Sequence, residues 1–168
     1  AAALRSCPAE GVILELGSGA GFLRDFIPEI RTSDVLAYEG IDMVVDAACM
    51  PFGDESLRAI CMLNVFHHLP DVEHFLLEAQ RCLLPGGRVL MIDQYPGFIG
   101  WPIYKYVHHE PFDPCAKTWR FESSGPLSGA NGALAWIVFE RDRFQREALV
   151  PKLKLDRYEP FLPLAYWL

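Results

Sequence analysis

The sequence predicts an α/β fold built on a doubly wound, mostly parallel sheet. Three observations carry this. Short apolar runs rich in branched residues recur along the chain. Segments with helical spacing alternate with them, as in βαβ units. The first run leads directly into a glycine-rich turn, "ELGSGAG", where such sheets bind ligands at the carboxyl ends of their strands.

Val12 to Leu16 is the first strand, apolar enough to be buried on both faces. A helix over Gly19 to Phe26 is expected next, stopped by Pro28. Arg31 to Leu36 and Met43 to Asp46 follow as the second and third strands, and Leu57 to Leu63 as the fourth. Asp71 stands as the N-cap of a helix after Pro70. Val72, Phe75, Leu76, Ala79 and Leu83 give that helix an apolar face at helical spacing. "PGG" at Pro85 to Gly87 ends it and turns the chain into the strand "RVLMID". Residues 95 to 132 are rich in Pro, Gly, aromatics and His, without clean periodicity. Regularity returns in "ALAWIVFERD", with a short helix over Asp142 to Ala148 and a strand in "KLKLDRY".

The 168 residues suit one domain, 1–168, with 51% hydrophobic and 22% charged residues. A net charge of −7 and scattered Lys and Arg argue against nucleic-acid binding. The five cysteines form no Cys-x-x-Cys pair, and three lie in apolar segments, as expected of thiols in a reducing cytoplasm. No apolar run reaches the length of a membrane span, and no signal-peptide pattern opens the chain. Both ends are abrupt, as in a piece of a longer protein.

The glycine turn discriminates between nucleotides. A dinucleotide fingerprint would place its third glycine at position 22, which is Phe22. The pattern present is Glu15, Gly17, Gly19, Gly21, with Ser18 and Ala20 between. Such a turn lets a ligand approach the backbone, and the helix N-terminus behind it offers N–H groups to a carboxylate. Glu15 adds negative charge for a cationic amine. This combination suits the amino-acid end of S-adenosylmethionine better than a pyrophosphate.

The segments "VILELGSGAG", "VVDAACMPFGDESLRAI" and "NVFHHLPDVEHFLLEAQRCLLPGGRVLMID" occur in an order that resembles class I S-adenosylmethionine-dependent methyltransferases. The likeness is strongest to the type 11 branch with the ubiquinone/menaquinone-biosynthesis enzymes, and covers residues 12 to 94. It implies a Rossmann-like fold, S-adenosyl-L-methionine as cofactor, S-adenosyl-L-homocysteine as product, and a small-molecule acceptor. By resemblance, Glu15 and the backbone of Gly17, Ser18, Gly19, Ala20 and Gly21 hold the methionine portion. Asp34, with Glu39 as second choice, takes the ribose hydroxyls, because a carboxylate accepts two bonds at once. Asp46 and Ala47 lie against the adenine, and Asn64 and Val65 beside the methionine portion and the transferred methyl. One departure stands out: too few residues separate Asp34 from the third strand for the usual helix, so an extended link is expected there.

Four histidines, His67, His68, His108 and His109, are available as bases if the acceptor atom needs one. The sequence leaves the acceptor atom open among O, N, S and C. Packing is the blander reading of "HHL" before a helix. His108, His109, Glu110 and Asp113 cluster in "HHEPFDP", but no Cys or spaced His completes a metal site there, and no metal is expected. Residues 95 to 132 are expected to specify the acceptor, with Trp101, Tyr104, Tyr106, Trp119 and Phe121 as candidate walls. The glycines of "SSGPLSGANG" read as a loop over the site. Two other readings stay open: a non-catalytic S-adenosylmethionine-binding protein, and a nicotinamide-dependent oxidoreductase, which Phe22 disfavours.

Overall fold

In the computed structural model, residues 3–95, 97, 101, 104, 106, 110–123, 125 and 128–159 are described. Five strands, β1 (Val12–Leu16), β2 (Arg31–Asp34), β3 (Met43–Val44), β4 (Leu57–Leu63) and β5 (Leu83–Ile92), form one sheet in the order β3-β2-β1-β4-β5. All four pairings are parallel. The order reverses beside β1, which opens a crevice at the carboxyl ends of β1 and β4.

Alternate residues of the central strands feed two cores. Leu14, Leu16, Ile60 and Met62 pack with α1 (Val72–Cys82), Phe66 and Trp119. Ile13, Ala59 and Cys61 pack on the other face with Leu4, Ile27 and Ile30. The helix α1 begins as expected, with the Asp71 side chain accepting the His74 N–H at 3.1 Å. It buries Val72, Phe75, Leu76, Ala79 and Cys82. Toward the end of the described chain, α2 (Leu134–Trp136) runs into a π-helical turn over Ile137–Arg141, followed by α3 (Arg143–Leu149). No helix among the described residues is long and apolar enough to cross a membrane.

Several sequence expectations are corrected. The helix expected over 19–26 shrinks to a 3₁₀ turn, Phe22–Asp25. Gly17, Gly19 and Gly21 all take positive φ, so the chain enters helical geometry only at Phe22, with Pro28 close behind. β2 stops at Asp34, because that side chain turns to accept the Leu36 N–H at 3.1 Å. β3 stops at Val44, and Asp46 makes a similar turn onto the Ala48 N–H at 2.8 Å. β5 starts at Leu83, before "PGG", and its register against β4 shifts between Leu57 and Ala59 to absorb the glycines. "KLKLDRY" forms no strand; Lys154, Leu155, Asp156 and Arg157 are exposed and lie along the surface.

The shortened link between β2 and β3 is present: residues 35–42 contain no helix. A polar knot does the joining instead. The Asp42 carboxylate accepts the Thr32 N–H at 2.9 Å and pairs with the Arg24 guanidinium, which also donates to the Thr32 hydroxyl at 2.8 Å. The backbone bond from Thr32 and the nearby Arg24 hold the Asp42 carboxyl below the usual range.

Candidate active site

A cavity of about 490 Å³ lies across the carboxyl ends of β1 to β4. Gly17 and Gly19 form its floor, Asp34, Val35 and Tyr38 one side, and Val45, Asp46, Ala47 and Ala48 the next. Leu63, Asn64, Val65 and His68 close the β4 side, and Ser123 and Gly125 from the glycine-rich segment reach its rim.

The glycine turn is held from behind. Ser18 donates its backbone N–H to the Ser33 carbonyl at 2.8 Å, and its hydroxyl accepts the Ser33 N–H at 2.9 Å. Its side chain is thus a staple between turn and β2, and Ser18 is not part of the cavity wall. Gly17 must be glycine for space: a Cβ there would lie 2.5 Å from Val65 Cγ2. Gly19 is different, since a Cβ there would meet nothing within 4 Å and would project into open space on the cavity wall.

Asp34 is the polar centre. It is only 6% exposed, yet lines the cavity, and its two oxygens accept separate backbone donors, Gly19 N–H at 3.2 Å and Leu36 N–H at 3.1 Å. Each carboxylate oxygen keeps a further lone pair for a ligand hydroxyl. Glu39, the alternative, is exposed and lies off the cavity. Asn64 occupies a left-handed backbone position at φ 54°, which re-aims the chain at the end of β4 into the cavity wall.

Glu15 is placed behind the turn. It is 2% exposed, lies off the cavity wall, and its Oε2 is buried without a hydrogen-bond partner. Burial pushes its carboxyl above the usual range; Ser18, Arg24 and the Leu23 N–H partly offset this. Ala20 and Gly21 also lie off the wall.

Among the histidines, His68 lines the cavity, whereas His67 is 1% exposed behind it. The Nδ1 of His67 lies 2.6 Å from an Asp93 oxygen, and Asp93 also accepts the Phe66 N–H at 2.8 Å. The Nδ1 of His68 lies 3.2 Å from the Gly129 carbonyl. Glu110 reaches both rings, with Oε2 3.4 Å from His67 Nε2 and Oε1 3.5 Å from His68 Nε2. The sequence reading kept "HHL" and "HHEPFDP" apart; the fold joins both histidines of the first to Glu110 of the second. His108 and His109 lie outside the described residues. Trp119 is not a pocket wall: it is fully buried in the core, with its indole N–H donated to Asp142 at 2.8 Å. Trp101, Tyr104, Tyr106 and Phe121 also lie off the cavity wall.

A parallel sheet in this order, with a glycine turn after β1 and an acid ending β2, is a Rossmann-like architecture, in which ligands sit at the carboxyl ends of the strands. Residues 14–91 match the family described as "Methyltransferase domain". The ubiquinone/menaquinone biosynthesis C-methyltransferase UbiE of Desulfotalea psychrophila is 28% identical over 109 residues, 53% of this chain and 44% of that protein. The uncharacterized methyltransferase YcgJ of Bacillus subtilis is 28% identical over 108 residues, 53% of this chain and 43% of that protein. The solved structure of YcgJ superposes with a TM-score of 0.44 and 27% identity, over 56% of this chain and 51% of that one. The chain thus spans less than half the length of the curated relatives it matches.

Proposed function

We propose that the chain is an S-adenosylmethionine-dependent methyltransferase acting on a small-molecule acceptor. The observation that carries this is Asp34, a buried carboxylate anchored by two backbone N–H groups and still facing the cavity. Two further lone pairs suit the vicinal hydroxyls of a ribose. The residues present fit the cofactor in a second respect, because the wall at Gly19 is open where any side chain would intrude.

When bound, the cofactor supplies an activated methyl on a sulfonium. This chain's residues then bind and orient. Asp34 would hold the ribose, Asp46 and Ala47 the adenine, and Gly17 to Gly21 the methionine portion. Asn64 and Val65 would flank the methyl, and Glu15 would contribute negative charge behind the turn. Holding the acceptor in line at near-attack distance is the main catalytic contribution of such a site. Of the candidate bases, His68 is the one on the cavity wall, while His67 supports it from behind. Residues 95 to 132 would select the acceptor, within a single domain. Five unpaired thiols are consistent with a reducing cytoplasm.

Isothermal calorimetry with S-adenosylhomocysteine and with NADH tests the reading. Binding of the former alone is expected; binding of NADH alone would refute it in favour of an oxidoreductase. Methyl transfer to a member of a metabolite panel separates an enzyme from a non-catalytic binder.

A further inference from the structure

His67, His68 and Glu110 present three ligand-capable groups whose donor atoms lie within 4.8 Å of one another. Their hydrogen bonds fix how they face. The Gly129 carbonyl can only accept, so His68 donates to it from Nδ1 and turns Nε2 toward Glu110. The Asp93 carboxylate does the same for His67, whose Nε2 faces the other Glu110 oxygen. Two imidazole Nε2 atoms and a carboxylate therefore converge, a donor set that can ligate a cation when both rings are neutral.

The spacing suits a metal better than direct ion pairs. Charge-assisted N–H···O bonds are about 2.7–2.9 Å long. Here the distances are 3.4 Å from His67 Nε2 to Glu110 Oε2 and 3.5 Å from His68 Nε2 to Glu110 Oε1, one carboxylate oxygen facing each ring. A tetrahedral ion with bonds of about 2.0–2.1 Å keeps neighbouring ligand atoms about 3.4 Å apart. Asp93 behind His67 and the Gly129 carbonyl behind His68 are the outer-shell acceptors that orient metal-binding imidazoles. Gln94 adds a second pointer. It is 7% exposed, its Oε1 has no partner, and its Nε2 lies 3.2 Å from His67 Nε2 and 2.7 Å from Glu110. The Gln94 amide thus ties Glu110 and His67 together and holds both facing one centre.

We propose that His67, His68 and Glu110 bind one divalent first-row transition ion of the zinc type, leaving a coordination position toward the cavity. Two nitrogens and a carboxylate suit such ions better than Mg²⁺ or Ca²⁺, which prefer oxygen. Of the three ligands His68 lines the cavity, which also includes Asn64 and Val65. Resting on the methyltransferase reading, the ion would hold an oxygen of the acceptor, which narrows the acceptor to molecules bearing a hydroxyl or carboxylate there.

The test uses the full chain stripped with chelator and titrated with Zn²⁺ by calorimetry and with Co²⁺ by visible absorption. One equivalent of each is expected, with the intense d–d bands of a four- or five-coordinate Co²⁺. Glu110→Gln and His67→Gln should each weaken Zn²⁺ at least tenfold, and Asp93→Asn about 10- to 100-fold through His67. Circular dichroism and thermal unfolding verify that each variant is folded, and a variant that does not fold is replaced by His68→Gln. The proposal is overturned if neither ion binds at about 1 mM, or if folded variants bind as tightly as the parent, which would assign binding to the thiols. Calorimetry with S-adenosylhomocysteine on the same sample keeps the two readings apart: its binding without metal binding defeats only the ion site, and the converse defeats only the cofactor site.

Discussion

Gly17→Ala and Gly19→Ala make a matched pair that isolates what each glycine does. Both positions have positive φ, 64° and 49°, so alanine costs about 1–2 kcal/mol at either from backbone strain. Only at Gly17 does the new Cβ collide, at 2.5 Å from Val65 Cγ2 and 3.0 Å from Cγ1. Overpacking of this kind adds about 1–3 kcal/mol. Gly17→Ala should then lose about 2–5 kcal/mol and Gly19→Ala about 1–2, the difference being steric. In a domain of this size each kcal/mol moves Tm by about 2–4 °C, so thermal and denaturant unfolding resolve the two. Val65→Ala removes both Cγ atoms and should return the steric part, with a coupling energy of about 1–3 kcal/mol in the double-mutant cycle. The same cycle between Gly19 and Val65 should give none. Coupling below about 0.5 kcal/mol for Gly17–Val65, or equal losses at the two glycines, would refute the reasoning. Gly19→Ala and the bulkier Gly19→Val should instead weaken S-adenosylhomocysteine, since their side chains enter the cavity.

Asp34→Asn should weaken S-adenosylhomocysteine about 10- to 100-fold by calorimetry, because hydrogen bonds to a charged acceptor contribute about 1.5–3 kcal/mol each. Glu15→Ala should lower cofactor affinity while the chain stays folded; unchanged affinity would restrict Glu15 to supporting the turn. Burial raises the Glu15 carboxyl, so its favourable contribution is present below about pH 4.5 and is lost as pH rises through its folded value. Glu15→Gln should therefore gain stability relative to the parent over that rise, measured by urea unfolding at several pH values. Glu78 has the opposite sign: Arg81 holds its carboxyl down, and it also accepts the Met50 N–H at 2.8 Å. Its contribution is present above about pH 4.5 and fades as pH falls through its folded value, so Glu78→Gln should cost stability at pH 7 and progressively less in acid.

Much of the fold was legible because its signals are local. β1, β4 and α1 announce themselves through branched runs, apolar spacing and an Asp71 cap, and their registers follow from burying both faces. The absence of a helix before β3 was legible from chain length alone. The first helix was misjudged because its propensity is set by residues 22–25, while its true start depends on how many glycines the turn takes. The β5 start was misplaced because "PGG" ends a helix and can equally be absorbed as a register shift within a strand. In the site, Asp34 was recoverable from its position after the turn. The Glu110 contact with His67 and His68 was not, since nothing local in 42 intervening positions says that the two segments meet. The Arg24–Thr32–Asp42 knot was equally silent, being three polar residues that spacing alone assigns to the surface.

That knot has a kinetic consequence. Ser33 pairs with Met43 only ten positions on, whereas Leu14 pairs with Ile60 across 46. Loop-closure entropy grows as (3/2)RT ln n, which favours the shorter contact by about 1.4 kcal/mol before any side chain packs. The β2–β3 edge is thus the strand pairing with the shortest loop to close, and Asp42 bridges it in the folded sheet. A short extended link in place of a crossover helix thus lowers the entropy cost of adding the outer strand beside Asp34.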